Sequence, residues 1–145
     1  MENELAQYPD WETGGLLLGY SETDQSIRVL EATDGGYDAI RESHEFQYDA
    51  KYVEHICGVL AGLYEPELQI VGMWHKHNYA SEPPFSRTDE EMHQQLMDIQ
   101  GHPCLSVLFE KKMDTADACD YDMRMFLLDQ KGRHQEVTFN LPDLK

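Results

Sequence analysis

The sequence predicts an α/β domain in which helices flank a mixed β-sheet, and three observations carry that expectation. Two stretches place apolar residues at three- and four-residue spacing, as amphipathic helices do. Short apolar or alternating runs, bounded by turn residues, read as strands. The two kinds of segment follow one another with no repeat, low-complexity tract or linker between them.

Residues 15–20 are a compact apolar run and residues 27–32 alternate, with the polar stretch 21–25 between them, which predicts an antiparallel hairpin. Asp34-Gly35-Gly36 then breaks the pattern. From about residue 49 to residue 64, Tyr52, Val53, Ile56, Val59, Leu60 and Leu63 line one face of a helix, which Pro66 closes. Residues 68–77 are apolar on both alternating faces, Val71 and Met73 on one and Ile70 and Trp74 on the other, as in a central strand buried on both sides. Its polar end is His75-Lys76-His77.

Beyond a loop containing Pro83-Pro84, a second helix starts between Ser86 and Thr88, buries Met92, Leu96 and Ile99, and stops at Gly101 with Pro103 just past it. Strands follow at 104–109, 121–128 and roughly 136–139, the last two joined by a turn at 129–132. The order β-β-α-β-α-β-β-β describes one domain over residues 1–145, with helices on both faces of the sheet.

Composition narrows the functional classes. A chain of 145 residues, 41% of them hydrophobic, can bury a core without disulfides. No run approaches the roughly 20 apolar residues of a membrane span, and Met1-Glu2-Asn3-Glu4 lacks a signal-peptide pattern, so a cytoplasmic protein with no membrane partner is expected. Cys57, Cys104 and Cys119 are too few and too irregular for a disulfide framework or a CxxC knuckle and read as buried thiols. With 28 acidic against 11 basic residues, the surface field opposes binding to nucleic acid; it favours basic partners or simply serves solubility.

Side chains two apart in a strand point the same way, so His75 and His77 can offer two imidazoles to one metal ion while Lys76 points away. A catalytic zinc takes three protein ligands and keeps a fourth position open. Asp89, in the first turn of the second helix, is the candidate third ligand, although Ser86 three residues before it also makes an ordinary N-terminal capping pair. Zinc hydrolysis also needs a fixed base to take a proton from water. Glu12 suits this, because Thr13-Gly14-Gly15-Leu16-Leu17-Leu18-Gly19 follows it, with glycines that allow close backbone approach and an apolar run that secures the strand.

Glu12 before Gly-Gly-Leu-Leu-Leu-Gly, then His75-x-His77, then Ser86-x-x-Asp89, resembles the JAB/MPN domain family with an intact JAMM motif. The resemblance spans most of the chain and implies a cytidine-deaminase-like, three-layer core. Carried over residue by residue, it implies that His75, His77 and Asp89 bind Zn2+, that Glu12 activates water, and that Ser86 helps to hold the tetrahedral oxyanion. It further implies hydrolysis of the peptide or isopeptide bond after the C-terminal tail of a ubiquitin-like or sulfur-carrier protein. Three departures stand out: Lys76 where Ser or Thr is common, Asn78 in place of a frequent Pro, and a His77-to-Ser86 spacing one residue longer.

Competing patterns fail on particular residues. There is no HExxH, Tyr79 stands where an HxHxDH site needs Asp, Asp89 stands where a cupin motif expects glycine, and Pro103-Cys104 lacks the second cysteine of a nucleobase deaminase. From a different class, a non-catalytic MPN-like scaffold that recruits partners through its acidic surface is the alternative. His93, four residues past Asp89, falls on the ligand's side of the helix and is either a support behind the site or a surface histidine. His44, His55, His102 and His134 form no constellation in the sequence, and no signal fixes an oligomeric state.

Overall fold

The computed structural model describes residues 1–23, 26–101, 103–112, 120–129 and 131–138. Helix α1 (Glu2–Gln7) precedes the hairpin β1 (Thr13–Thr23) and β2 (Ser26–Ala32). The short strands β3 (Ile40–Arg41) and β4 (Phe46–Gln47), α2 (Ala50–Ala61) and β5 (Gln69–His77) come next. Helix α3 (Arg87–Gln100) leads into β6 (Cys104–Lys111), β7 (Tyr121–Leu128) and β8 (His134–Val137).

Six strands form one mixed sheet in the order β2-β1-β5-β6-β7-β8, while β3 and β4 pair separately. Within the large sheet the β5–β6 pair is parallel and the other pairs are antiparallel. Parallel neighbours need a crossover, and α3 supplies it. That connection puts the start of α3 beside the C-terminal end of β5, where the histidines lie.

Helices α2 and α3 cover one face. Val53 and Cys57 of α2 and Leu96 and Met97 of α3 pack with Leu16, Leu18 and Met73 of the sheet. Leu5 of α1 covers the other face with Leu17, Val71, Trp74 and Val107. Helices on both faces were expected, but α1 was not. Six residues are too few for a periodic signal, and α1 is held instead by Glu4, whose buried carboxylate accepts from the Thr13 hydroxyl and from Arg41, both at 2.7 Å.

Other local expectations need correction. Val71 lies with Trp74 on the α1 face and Ile70 with Met73 on the opposite one, the reverse of simple alternation. A bulge causes the switch: Leu17 pairs with Gly72 but Leu18 with Ile70, leaving Val71 as the extra residue. Ile99 is 77% exposed and Met97 is buried in its place. Val59 and Leu63 are exposed, and α2 ends at Ala61 with Gly62 as its cap. Strand β8 begins at His134, two residues before expectation; residue 139 lies outside the described residues. Cys57 and Cys104 are buried, and Cys119 lies outside the described residues. Among the described residues no helix is long and apolar enough to cross a membrane.

Candidate metal centre

The site is assembled by one strand pairing and one helix start. In the antiparallel β1–β5 pair, Thr13 stands opposite Lys76 and Gly14 opposite His75. Continuing that register brings Glu12 alongside His77, and opposed residues share a face, so Glu12 and both imidazoles are presented to the same side. Gly14 makes the closeness possible. A Cβ there would lie 2.3 Å from the Trp74 carbonyl oxygen and 3.2 Å from the His75 ring.

The third ligand comes from the first turn of α3. Ser86 is the N-cap: its Oγ accepts from the Asp89 amide at 3.2 Å, and the Ser86 amide donates to Asp89 Oδ2 at 2.8 Å. This reciprocal cap fixes the Asp89 side chain in place. The Ser86 hydroxyl also donates to Oδ2, at 2.8 Å. Capping and ligand placement are therefore one arrangement.

His75 Nε2 lies 3.9 Å from Asp89 Oδ1, and His77 Nε2 lies 3.5 Å from Asp89 Oδ2. The three candidate ligand atoms fall within 4.8 Å of one another. Tetrahedral ligands at about 2.1 Å from a zinc ion stand about 3.4 Å apart, so the spacing suits an ion after small side-chain movements. Chemistry points the same way. His75 is buried, and among the described residues neither of its ring nitrogens has a hydrogen-bond partner. Two imidazoles and a carboxylate that converge like this are able to hold a metal ion.

The protonation states are set by burial and by the neighbours. Burial lowers His75 to about 4, against the pull of Asp89, so it is neutral and its lone pair is available. Burial also opposes charge on His77, but Asp89 and Glu12 outweigh it and raise its pKa. Asp89 is held well below the usual carboxylate range: burial resists its charge, while His77, His75 and the Ser86 amide favour it more strongly. Burial pushes Glu12 up to about 7, with His77 and Lys76 pulling it down and Asp89 adding to the rise.

A cavity of about 290 Å³ opens over these groups, lined by Glu12, His77, Ser86 and Asp89 together with His44 and Tyr79. Pro83, Pro84 and Phe85 form another part of its wall. The structure thus brings together Glu12, His75, His77, Ser86 and Asp89 from three separate stretches: the lead into β1, the end of β5 and the start of α3. His93 is buried behind them rather than on the surface, its ring 5.6 Å from that of His75. Two histidines without a pattern in the sequence also find roles. His134 Nε2 lies 2.8 Å from His93 Nδ1, and His44 Nδ1 lies 2.7 Å from the Tyr79 hydroxyl at the cavity wall. No local signal could have found either pairing, since 41 and 35 residues separate the partners.

The family profile of prokaryotic homologs of the JAB domain matches residues 1–122. No curated protein sequence matches the chain significantly. Among solved structures, the solution structure of a protein from Salinibacter ruber (strain DSM 13855) is similar, with a TM-score of 0.57 at 17% identity. The match covers 99% of this chain and 85% of that one, and it supports the α/β architecture of a mixed sheet with flanking helices.

Proposed function

The chain belongs to the prokaryotic family of JAB-domain homologues, and from that premise we propose that it is a zinc-dependent metallopeptidase or isopeptidase. Its substrate would be a ubiquitin-like or sulfur-carrier protein, cut at the bond that follows the C-terminal tail. One observation carries the reading: among the described residues His75 is a buried imidazole with no hydrogen-bond partner, set beside the second imidazole and the carboxylate that complete a three-ligand set. A scaffold that binds no metal would leave such a group unsatisfied, and turnover separates the peptidase from a scaffold that does bind one.

His75, His77 and Asp89 would hold the ion, leaving the cavity side open. A bound zinc supplies a Lewis acid for the scissile carbonyl and lowers the pKa of water to about 7. Glu12 accepts the proton of the attacking water as its oxygen bonds to the carbonyl carbon. It returns a proton to the amine nitrogen as the C–N bond breaks; burial raises the pKa of this carboxyl in the metal-free site, the direction that a group both taking and giving a proton needs. Ser86 orients Asp89 in the resting site, and its hydroxyl must turn from Oδ2 to donate to a developing oxyanion. The excess of acidic side chains favours association with a basic substrate protein.

The test is cleavage of a panel of ubiquitin-like and sulfur-carrier fusions by the purified protein, with and without a chelator. Cleavage after the tail that stops on chelation and returns with zinc supports the reading. Zinc at the site with no turnover of any member contradicts it.

A further inference from the structure

Residues 8–12, between α1 and β1, carry Glu12 toward the cavity but take no part in the large sheet up to residue 12. Their carbonyls therefore need donors from elsewhere. Three successive carbonyls receive side chains from across the sheet. The Tyr8 carbonyl accepts from Lys76 Nζ, that of Pro9 from Lys111 Nζ at 3.3 Å, and that of Asp10 from Asn78 Nδ2 at 2.9 Å. Lys111 Nζ also lies 3.7 Å from the Asp10 carboxylate. On the other side, Glu12's own amide donates to the Glu42 carbonyl at 2.7 Å, and Asn78 Nδ2 reaches the Ser43 carbonyl at 2.8 Å.

Two of these donors are the residues at which the chain departs from its family's usual motif. Lys76 sits between the two histidines and projects to the opposite face, where its side chain is completely buried. Burying an ammonium is costly unless hydrogen bonds offset the lost water, and the Tyr8 carbonyl supplies one. Asn78 follows directly after His77 and braces the 8–12 segment against the segment that contains Glu42 and Ser43. One stretch of chain, residues 75–78, thus supplies two candidate metal ligands on one side and two braces for the segment bearing the candidate base on the other.

Building on the peptidase reading above, we propose that Lys76, Asn78 and Lys111 are positioning residues: by holding the Tyr8, Pro9 and Asp10 carbonyls they fix the Glu12 carboxylate in register with the histidines. None of the three touches the metal pocket in this scheme. Their loss moves Glu12 without removing any ligand, and a displacement of about 1 Å from reacting geometry is worth on the order of 100-fold in rate.

The experiment compares Lys76→Met, Asn78→Ala and Lys111→Met with the intact chain, and uses Lys112→Met, an exposed lysine outside this network, as control. Zinc content, hydrogen exchange of the Glu12 amide, kcat and KM are read on each. We expect zinc to stay near one per chain, the Glu12 amide to exchange roughly 2- to 10-fold faster for each lost bond, and kcat to fall about 10- to 100-fold with KM within about twofold. Lys111→Arg, which keeps a donor, should restore kcat, and Lys112→Met should match the intact chain. If Lys76→Met fails to fold, Asn78→Ala and Lys111→Met carry the test. Unchanged Glu12 exchange in the folded variants, or faster exchange with unchanged kcat, overturns the proposal. If the intact chain cleaves no substrate, the peptidase reading falls by itself; exchange in the metal-free variants then decides whether the three donors hold the segment.

Discussion

On the α3 side of β5, His75 is 2% exposed and neither ring nitrogen has a hydrogen-bond partner among the described residues. One residue on, facing α1, Lys76 is fully buried, yet its ammonium donates to the Tyr8 carbonyl and lies 5.7 Å from the Tyr121 ring. The same strand end thus buries two polar side chains and satisfies one of them within the polypeptide. An unsatisfied buried polar group costs about 1–3 kcal/mol, so it persists where something outside the chain completes it. The contrast separates a place built to bind from a place built to brace.

The largest expected effect comes from removing the unsatisfied member. His75→Ala should take bound zinc from about one per chain to near zero by metal analysis. The zinc-dependent gain in stability, about 2.7 kcal/mol at a zinc concentration 100 times Kd, should vanish with it. Full zinc retention would mean that His75 is buried for packing alone. Next in size, Glu12→Gln should keep the zinc and lose about 10²- to 10⁴-fold in kcat on a cleavable fusion, since it alters the base and leaves the ligands intact. Zinc loss in that variant would place Glu12 among the ligands.

Gly14→Ala sharpens the comparison from the backbone side. A methyl group 2.3 Å from the Trp74 carbonyl forces β1 and β5 apart, at a cost of about 1–3 kcal/mol in urea denaturation. Zinc affinity should fall along with it, because the added methyl would also stand 3.2 Å from the ring of His75, a candidate ligand. The smallest effect concerns protons. His77 has a raised pKa in the metal-free protein, so its pairing with Asp89 is fully present below 6.5 and lost as pH rises through the raised value. Zinc must displace that proton, so zinc binding should weaken up to about tenfold per unit as pH falls below the raised value. Titration calorimetry near pH 6 in two buffers of different ionisation enthalpy, made on Glu12→Gln to remove the proton that Glu12 itself holds there, should read about one proton released per zinc; none released would contradict the assignment of His77.

Glu12, His75, His77, Ser86 and Asp89 could be singled out in the sequence because each sits in a local pattern that the family resemblance ties together: alternation for His75 and His77, a cap for Ser86 and Asp89, a glycine pair after Glu12. The central strand and both long helices were legible from their periods for the same reason. What escaped depends on contacts between distant segments. Helix α1 has no period of its own and is held by Arg41, 37 residues from Glu4. The Val71 bulge arises from the pairing of β1 with β5, and the exposure of Ile99 from how α3 meets the sheet. His134 and the bracing roles of Lys76, Asn78 and Lys111 likewise exist only once the strands are assembled.

The most direct test is a diffraction experiment at the zinc absorption edge on crystals grown with zinc. One strong anomalous peak should lie about 2.0–2.2 Å from a nitrogen of His75, a nitrogen of His77 and an oxygen of Asp89, with the Glu12 carboxylate facing the remaining position. No peak there with zinc in excess, or a peak that His75 does not touch, would contradict this assignment.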